Sequence, residues 1–317
     1  MKYLTLFLVI GLLSVSFAGC KKDDTDAAFR LEGITPENYP KVDASTAAAP
    51  LQTLIACKLL GWRYDWGRAM DGTYTIYPRW EDIPAGFDYW ERVKTSKTHD
   101  AILNIIDKKV DFILSVRTMS DDEKKHAEEE GVTLIETPIA LDAFIFIVNR
   151  ENSVKALTTK QIQDIYTGKL TNWSEVGGRN NPINPFVRNA NSGSQELMET
   201  LVMKDIDMKD WPQDPHYVLG GMDLVFRTVM DDENSICFSL FYYYEQMMKE
   251  NIAKTVAVDG ASPNKNTIKN KRYPYVTEVL AVIRSDLDKS SMAYQLYELL
   301  TSNVAKRVIE ESGYVVN

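Results

Sequence analysis

The chain has 317 residues, with 36 Lys and Arg against 45 Asp and Glu, a formal net charge of −9, and 44% hydrophobic residues. That length holds two domains of ordinary size and a sizeable core. The acidic balance argues against a nucleic-acid partner, so an anion has to be captured by local donors rather than by a global positive field.

The chain opens Met1-Lys2-Tyr3, runs through an apolar stretch over 4–17 and reaches Ala18-Gly19-Cys20. A positive start, a short apolar core and small residues at the break describe a secretory signal over residues 1–19, because a membrane span needs about 20 apolar residues. Small residues directly before Cys20 resemble the lipobox of bacterial lipoproteins, in which the cysteine becomes the lipidated first residue. The expectation is a protein lipid-anchored to the bacterial cell envelope, on its periplasmic face or outer surface. Lys21-Lys22-Asp23-Asp24 begins a polar stretch read as a tether over 20–37, and it also resembles the surface-export signal of some Gram-negative lipoproteins.

The body follows with a short strand at 41–43, a helix over 47–60, a helix over 100–106, a strand at 110–115, a charged surface helix over 120–130 and a strand at 133–135. This βαβ rhythm predicts an α/β fold with mostly parallel sheets. Two continuous apolar runs, 143–149 and 276–283, read as buried strands that bracket a block of other elements. The pattern predicts a discontinuous first domain, with the chain crossing to build a second and crossing back. Aromatics crowd 61–93, from Trp62 to Trp90, interleaved with Arg63, Arg68, Arg79 and Arg92. They offer either a stacking surface or, more simply, the packing of a loop-rich elaboration. Cys57 and Cys237 lie in apolar runs and are read as buried free thiols rather than a disulfide. His99, His126 and His216 are scattered without a partner that suggests a triad or ligand set, and no Cys/His metal spacing exists.

One device recurs at three places, a hydroxyl-rich turn at a helix start. Ser45-Thr46 precedes Pro50, a residue tolerated in a first turn; Thr95-Ser96-Lys97-Thr98 precedes the next helix; and Arg188 stands four residues before Ser192-Gly193-Ser194. Ser192 with Gln195 predicts a capping box. Free helix-start amides, hydroxyls and a guanidinium together make a receptor for a small oxyanion.

Val42-Asp43-Ala44-Ser45-Thr46, Val110 to Arg117, Pro138 to Ala143, Asp164-Ile165-Tyr166-Thr167-Gly168-Lys169-Leu170-Thr171-Asn172-Trp173, and Arg188 with Ser192-Gly193-Ser194 resemble the substrate-binding lipoproteins of phosphate ABC importers. The likeness covers most of 40–315. It implies the two-lobe type II periplasmic-binding fold, each lobe a mostly parallel sheet flanked by helices, with 38–142 and 278–317 forming the first lobe and 143–277 the second. It further implies a monomer without cofactor, metal or catalysis, which binds inorganic phosphate between the lobes and passes it to importer membrane subunits. Carried over by position, the ligands are Ser45, Thr46, Ser96, Thr98, Arg188, Ser192, Gly193 and Ser194.

The pattern is broken in places. Lys97-Thr98-His99 stands where the family's second turn has glycines, and Lys97 is either a ligand or exposed. Val116 stands where relatives carry the carboxylate that accepts the proton of monohydrogen phosphate, which leaves Asp142, and then Asp43, as substitutes. Positions 189–191 read Asn-Ala-Asn, without the acidic residue that accompanies the arginine. Another small oxyanion, a phosphorylated metabolite, or a surface adhesion role for the same fold are the alternatives.

Overall fold

The computed structural model describes residues 28–204, 206–210, 217–249 and 253–316. The expected signal over 1–19, the lipidation of Cys20, the first part of the tether and His216 lie outside them. The tether ends earlier than residue 37: Phe29 is buried in the core, and Leu31 and Ile34 pack against it.

The first strand, β1 (Val42–Ala44), leads through a 3-10 turn into α1 (Ala49–Leu60). Pro50 falls in that helix's first turn, where its missing N–H costs nothing, and Gly61 at φ 72° closes the other end. Then come the hairpin β2 (Tyr64–Arg68) and β3 (Tyr74–Pro78), α2 (Tyr89–Arg92), α3 (Lys97–Ile106), β4 (Phe112–Ser115), α4 (Asp121–Glu129) and β5 (Leu134–Asn149). The chain continues through β6 (Ala156–Leu157), α5 (Thr159–Tyr166), β7 (Asn184–Pro185), β8 (Val187–Arg188) and α6 (Gly193–Leu197), which runs on as a π-helical turn over Met198–Met203. After β9 (Val218–Leu219), α7 (Met222–Asp231), β10 (Ser235–Leu240), β11 (Ala253–Thr255), β12 (Ala257–Val258) and α8 (Lys265–Lys269), β13 (Val276–Arg284) returns, followed by α9 (Met292–Thr301) and α10 (Lys306–Ser312).

The two expected strands at 133–135 and 143–149 are one 16-residue strand, β5. Its first part pairs with β13, from Leu134↔Arg284 to Ala143↔Val276, and its second part with β10, from Phe144↔Leu240 to Val148↔Ile236. One strand thus belongs to both halves of the molecule. Pro138 lacks a ladder donor, and the register slips beside it, which is how the strand tolerates a proline.

The expected mostly parallel sheet is corrected to a mixed one. β1 with β4 and β7 with β10 are parallel, but β4–β13, β13–β5, β5–β10 and β5–β11 are all antiparallel. The cause is the pair of crossing strands: β13 runs back beside β5, and so opposes both its neighbours. The two-lobe α/β plan itself holds. Buried side chains of both halves form one continuous core, with a satellite under α3 and α4.

The aromatic segment packs as an elaboration. Trp62 and Tyr89 are buried, Arg63 is held by Asp82 and Arg79 by Asp65, and Arg92 donates to the carbonyls of Tyr39 and Glu37. Those three guanidiniums are spent on structure rather than offered to a ligand. The hairpin also reaches the other half, where Arg227 of α7 donates to the Asp71 carbonyl and the Lys249 ammonium sits over the Trp66 and Tyr74 rings. Cys57 and Cys237 are free and buried.

Candidate functional site

Arg188 ends β8, and its neighbour in the β9 ladder is Leu219. Its Nε donates to the Leu219 carbonyl at 2.7 Å and its Nη1 to Ser194 Oγ at 3.1 Å. The side chain is buried, and no carboxylate stands within ion-pair distance of it among the described residues. Burial pulls the guanidinium down to about 10, with Tyr243 and Asp223 acting in the opposite sense, so it stays cationic at neutral pH. A desolvated cation without a counter-ion is costly unless an anion completes it.

Ser194 and Gly193 begin α6 behind Ser192, whose Oγ accepts the Gln195 N–H at 3.2 Å. The expected capping box is only half formed. The Gln195 side chain does not reach back to Ser192: its Oε1 accepts the Arg188 N–H at 3.0 Å and its Nε2 donates to Glu199. That exchange locks the helix start to the arginine's own backbone. Asn191, at φ 63°, makes the turn before the cap.

Facing these groups across a cavity of about 150 Å³ are Ser45 and Thr46 after β1, Thr98 in the first turn of α3, and Val116 after β4. Ser45 Oγ accepts the Val116 N–H at 3.2 Å, which leaves its hydroxyl proton free to donate. Seven of the eight expected ligands, Ser45, Thr46, Thr98, Arg188, Ser192, Gly193 and Ser194, line this one cavity. The halves meet tightly there, since a Cβ built on Gly193 would lie 2.5 Å from Thr98 Oγ1. Glycine is required by this approach rather than by its φ.

The eighth, Ser96, does not line the cavity. It is the residue before α3, where its N–H donates to Asp43 Oδ1 at 2.8 Å. Asp43 is likewise spent on structure: Oδ1 also accepts the Ala44 N–H and Oδ2 the Asn104 amide. Asp142 repeats the device in β5, its Oδ1 accepting the N–H groups of Ala143 and Tyr242. Neither aspartate lines the cavity, so the expectation that one of them accepts a ligand proton there is corrected. Each ties its strand to a neighbouring segment instead, Asp43 to Ser96 and Asn104 and Asp142 to Tyr242. Asp142 is fully buried with Oδ2 unpartnered, and burial pushes its carboxyl up to about 7.

Three further wall residues bear on the site: Lys97, read from the sequence as either a ligand or exposed, and His99 and Gly221, which sequence reasoning passed over. Lys97 is exposed and takes φ 68° in place of a glycine, so the left-handed turn survives without one. His99 lines the same cavity, and its Nδ1 meets Glu123 at 2.7 Å. Gly221, at the start of α7, lines the wall beside Asp223, the carboxylate whose field Arg188 feels. The Gly220-Gly221-Met222-Asp223 helix start was the available signal for the last, whereas nothing in the chain ties His99 to Glu123.

A larger cavity, about 720 Å³, opens along α4, α6 and β13. Asp121, Asp122, Glu196, Glu199 and Glu278 outnumber Arg117, Lys124 and Lys271 there, the wrong balance for an anion. No group of three or more His, Cys, Asp or Glu among the described residues is placed to hold a metal ion. No described helix is long and apolar enough to cross a membrane.

Residues 85–304 match the PBP superfamily domain. The phosphate-binding protein PstS of Borreliella burgdorferi is 25% identical over 207 residues, covering 64% of this chain and 72% of that protein. The Staphylococcus epidermidis protein of the same name is 26% identical over 213 residues, covering 65% of this chain and 64% of its own length. A putative phosphate ABC transporter substrate-binding protein with bound phosphate from Clostridium perfringens superposes with a TM-score of 0.62 at 22% identity, covering 87% of this chain and 98% of that one. An ABC-type phosphate transport receptor from Vibrio cholerae gives 0.60 at 20%, covering 90% and 100%. At these identities the superpositions speak for the fold.

Proposed function

This chain belongs to the PBP superfamily, and on that premise we propose that it binds inorganic phosphate in the cavity between its two halves and delivers it to the membrane subunits of an ABC importer. The two halves act as lobes, 38–142 with 278–317 and 143–277. Cys20 carries the lipid that holds the protein to the bacterial envelope, and the protein works as a monomer without catalysis. The observation that carries the reading is the buried, carboxylate-free Arg188 guanidinium inside a ring of hydroxyls. The relatives named for phosphate support it. The cavity's volume of about 150 Å³ lies well below the roughly 300–1,000 Å³ typical of sites for drug-sized ligands, which favours a bare oxyanion over a phosphorylated metabolite.

Selective capture comes from oriented donors that gain strength when closure removes water from around the ion. Ser194 and Arg188 act as one unit, because the hydroxyl oxygen accepts from the guanidinium and so turns its own proton toward the cavity. Calorimetric titration of the mature protein should show phosphate binding. Arg188→Ala should weaken it by roughly 2–4 kcal/mol without unfolding the protein, since the anion keeps its desolvation cost and loses its cation. Unchanged affinity in a folded variant places the site elsewhere.

A further inference from the structure

We propose that His99 is the selectivity residue of this cavity: its Nε2 accepts the proton that phosphate retains near neutral pH, and sulfate, which has no such proton, is thereby disfavoured. This rests on the phosphate reading above. The other groups turned to the ion, the guanidinium, hydroxyls and amides of Arg188, Ser45, Thr46, Thr98 and Ser194, are suited to donate. A ligand that brings its own O–H needs one fixed acceptor, and Asp43 and Asp142 are not in the wall to supply it.

The tautomer of His99 follows from its partner. Glu123 is fully buried; its Oε1 takes Arg117 Nη2 at 2.8 Å and His99 Nδ1 at 2.7 Å, and its Oε2 takes Arg117 Nη1 at 2.7 Å and the Ser120 N–H at 2.8 Å. Burial alone would raise this carboxyl, but Arg117, Ser120 and His99 outweigh it and hold the group below its ordinary value. An ionised carboxylate only accepts, so Nδ1 carries the imidazole's single proton and Nε2 is left with a lone pair. Nε2 has no protein partner among the described residues, and His99 lines the cavity. Asp100 also lines it but is exposed and solvated, whereas Glu123, held at both oxygens, fixes the ring.

The test is calorimetric titration of the mature protein with phosphate and with sulfate at fixed ionic strength and about pH 8, where phosphate carries one proton and sulfate none. Wild type should prefer phosphate. His99→Leu should cut the preference by about tenfold or more. His99→Gln, which keeps an acceptor oxygen, should retain the preference; this variant decides the matter should His99→Leu fail to fold. A wild type that binds no phosphate overturns the phosphate reading. A selective wild type matched by an equally selective, folded His99→Leu overturns only the role of His99. Selectivity lost in Asp100→Asn but kept in His99→Leu gives the acceptor role to Asp100 and also overturns the inference.

Discussion

Asp142 shows what a single carboxyl can do when the fold encloses it without a counter-charge. Its folded value of about 7 lies above the ordinary 3.8, so the native state binds more protons than the unfolded chain between those two points. Stability from this group is therefore fully present below the lower value and is lost as pH rises through the upper one. At about 1.4 kcal/mol per unit, the whole interval is worth on the order of 4–5 kcal/mol. Asp142→Asn does not titrate, so its unfolding free energy relative to wild type should climb by that order between about pH 4 and pH 8 in paired urea melts. A difference that stays flat with pH contradicts the account. The legible residues were those whose chemistry is local: Ser45, Thr46, Ser192 and Ser194 announce themselves as helix starts, and Arg188 stands a few positions away. The clamp of His99 by Glu123 and Arg117 was illegible, because those residues lie on α3, α4 and the loop before α4 and meet only after folding.

At the scale of elements, closure depends on the start of α6 reaching the start of α3. A methyl added at Gly193 would meet Thr98 Oγ1 at 2.5 Å, Thr98 Cβ at 3.1 Å and Val116 Cγ2 at 3.4 Å, all on the opposite half. Gly193→Ala should hold the halves apart and cost about 1–3 kcal/mol of phosphate affinity, with little change in the melting of the unliganded protein. Titration checks the first part, and small-angle scattering with phosphate should show a larger radius than wild type. Wild-type affinity in the variant would mean that the cavity closes by another contact. Strand continuity was harder to read than helix starts. Pro138 stands between the two expected strands, yet β5 runs on through it, with Ile139 bulged out of register beside it. Strand direction was also hidden, since a buried apolar run reads alike whether its neighbours are parallel or antiparallel.

On the proposed function, the whole molecule is an acidic body that holds an anion, with a net charge of −9 and no global field to help. Its solution is local, a desolvated guanidinium and a handful of hydroxyls brought together from segments more than a hundred residues apart. The order of elements made the crossing and return of the chain legible, because two buried apolar runs bracket a second set of helices and strands. The seating of the aromatic hairpin against α7 was not legible, since it depends on contacts between halves that only the fold creates. The central claim is that the anion sits between those halves. Arsenate is a heavy tetrahedral stand-in for phosphate, so anomalous diffraction from crystals of the protein grown with arsenate locates it directly. The account predicts one strong peak within hydrogen-bonding reach of Arg188, Ser194 and Thr98, inside the cavity of about 150 Å³. An ordered arsenate in the larger cavity beside Arg117, with this one empty, would contradict it.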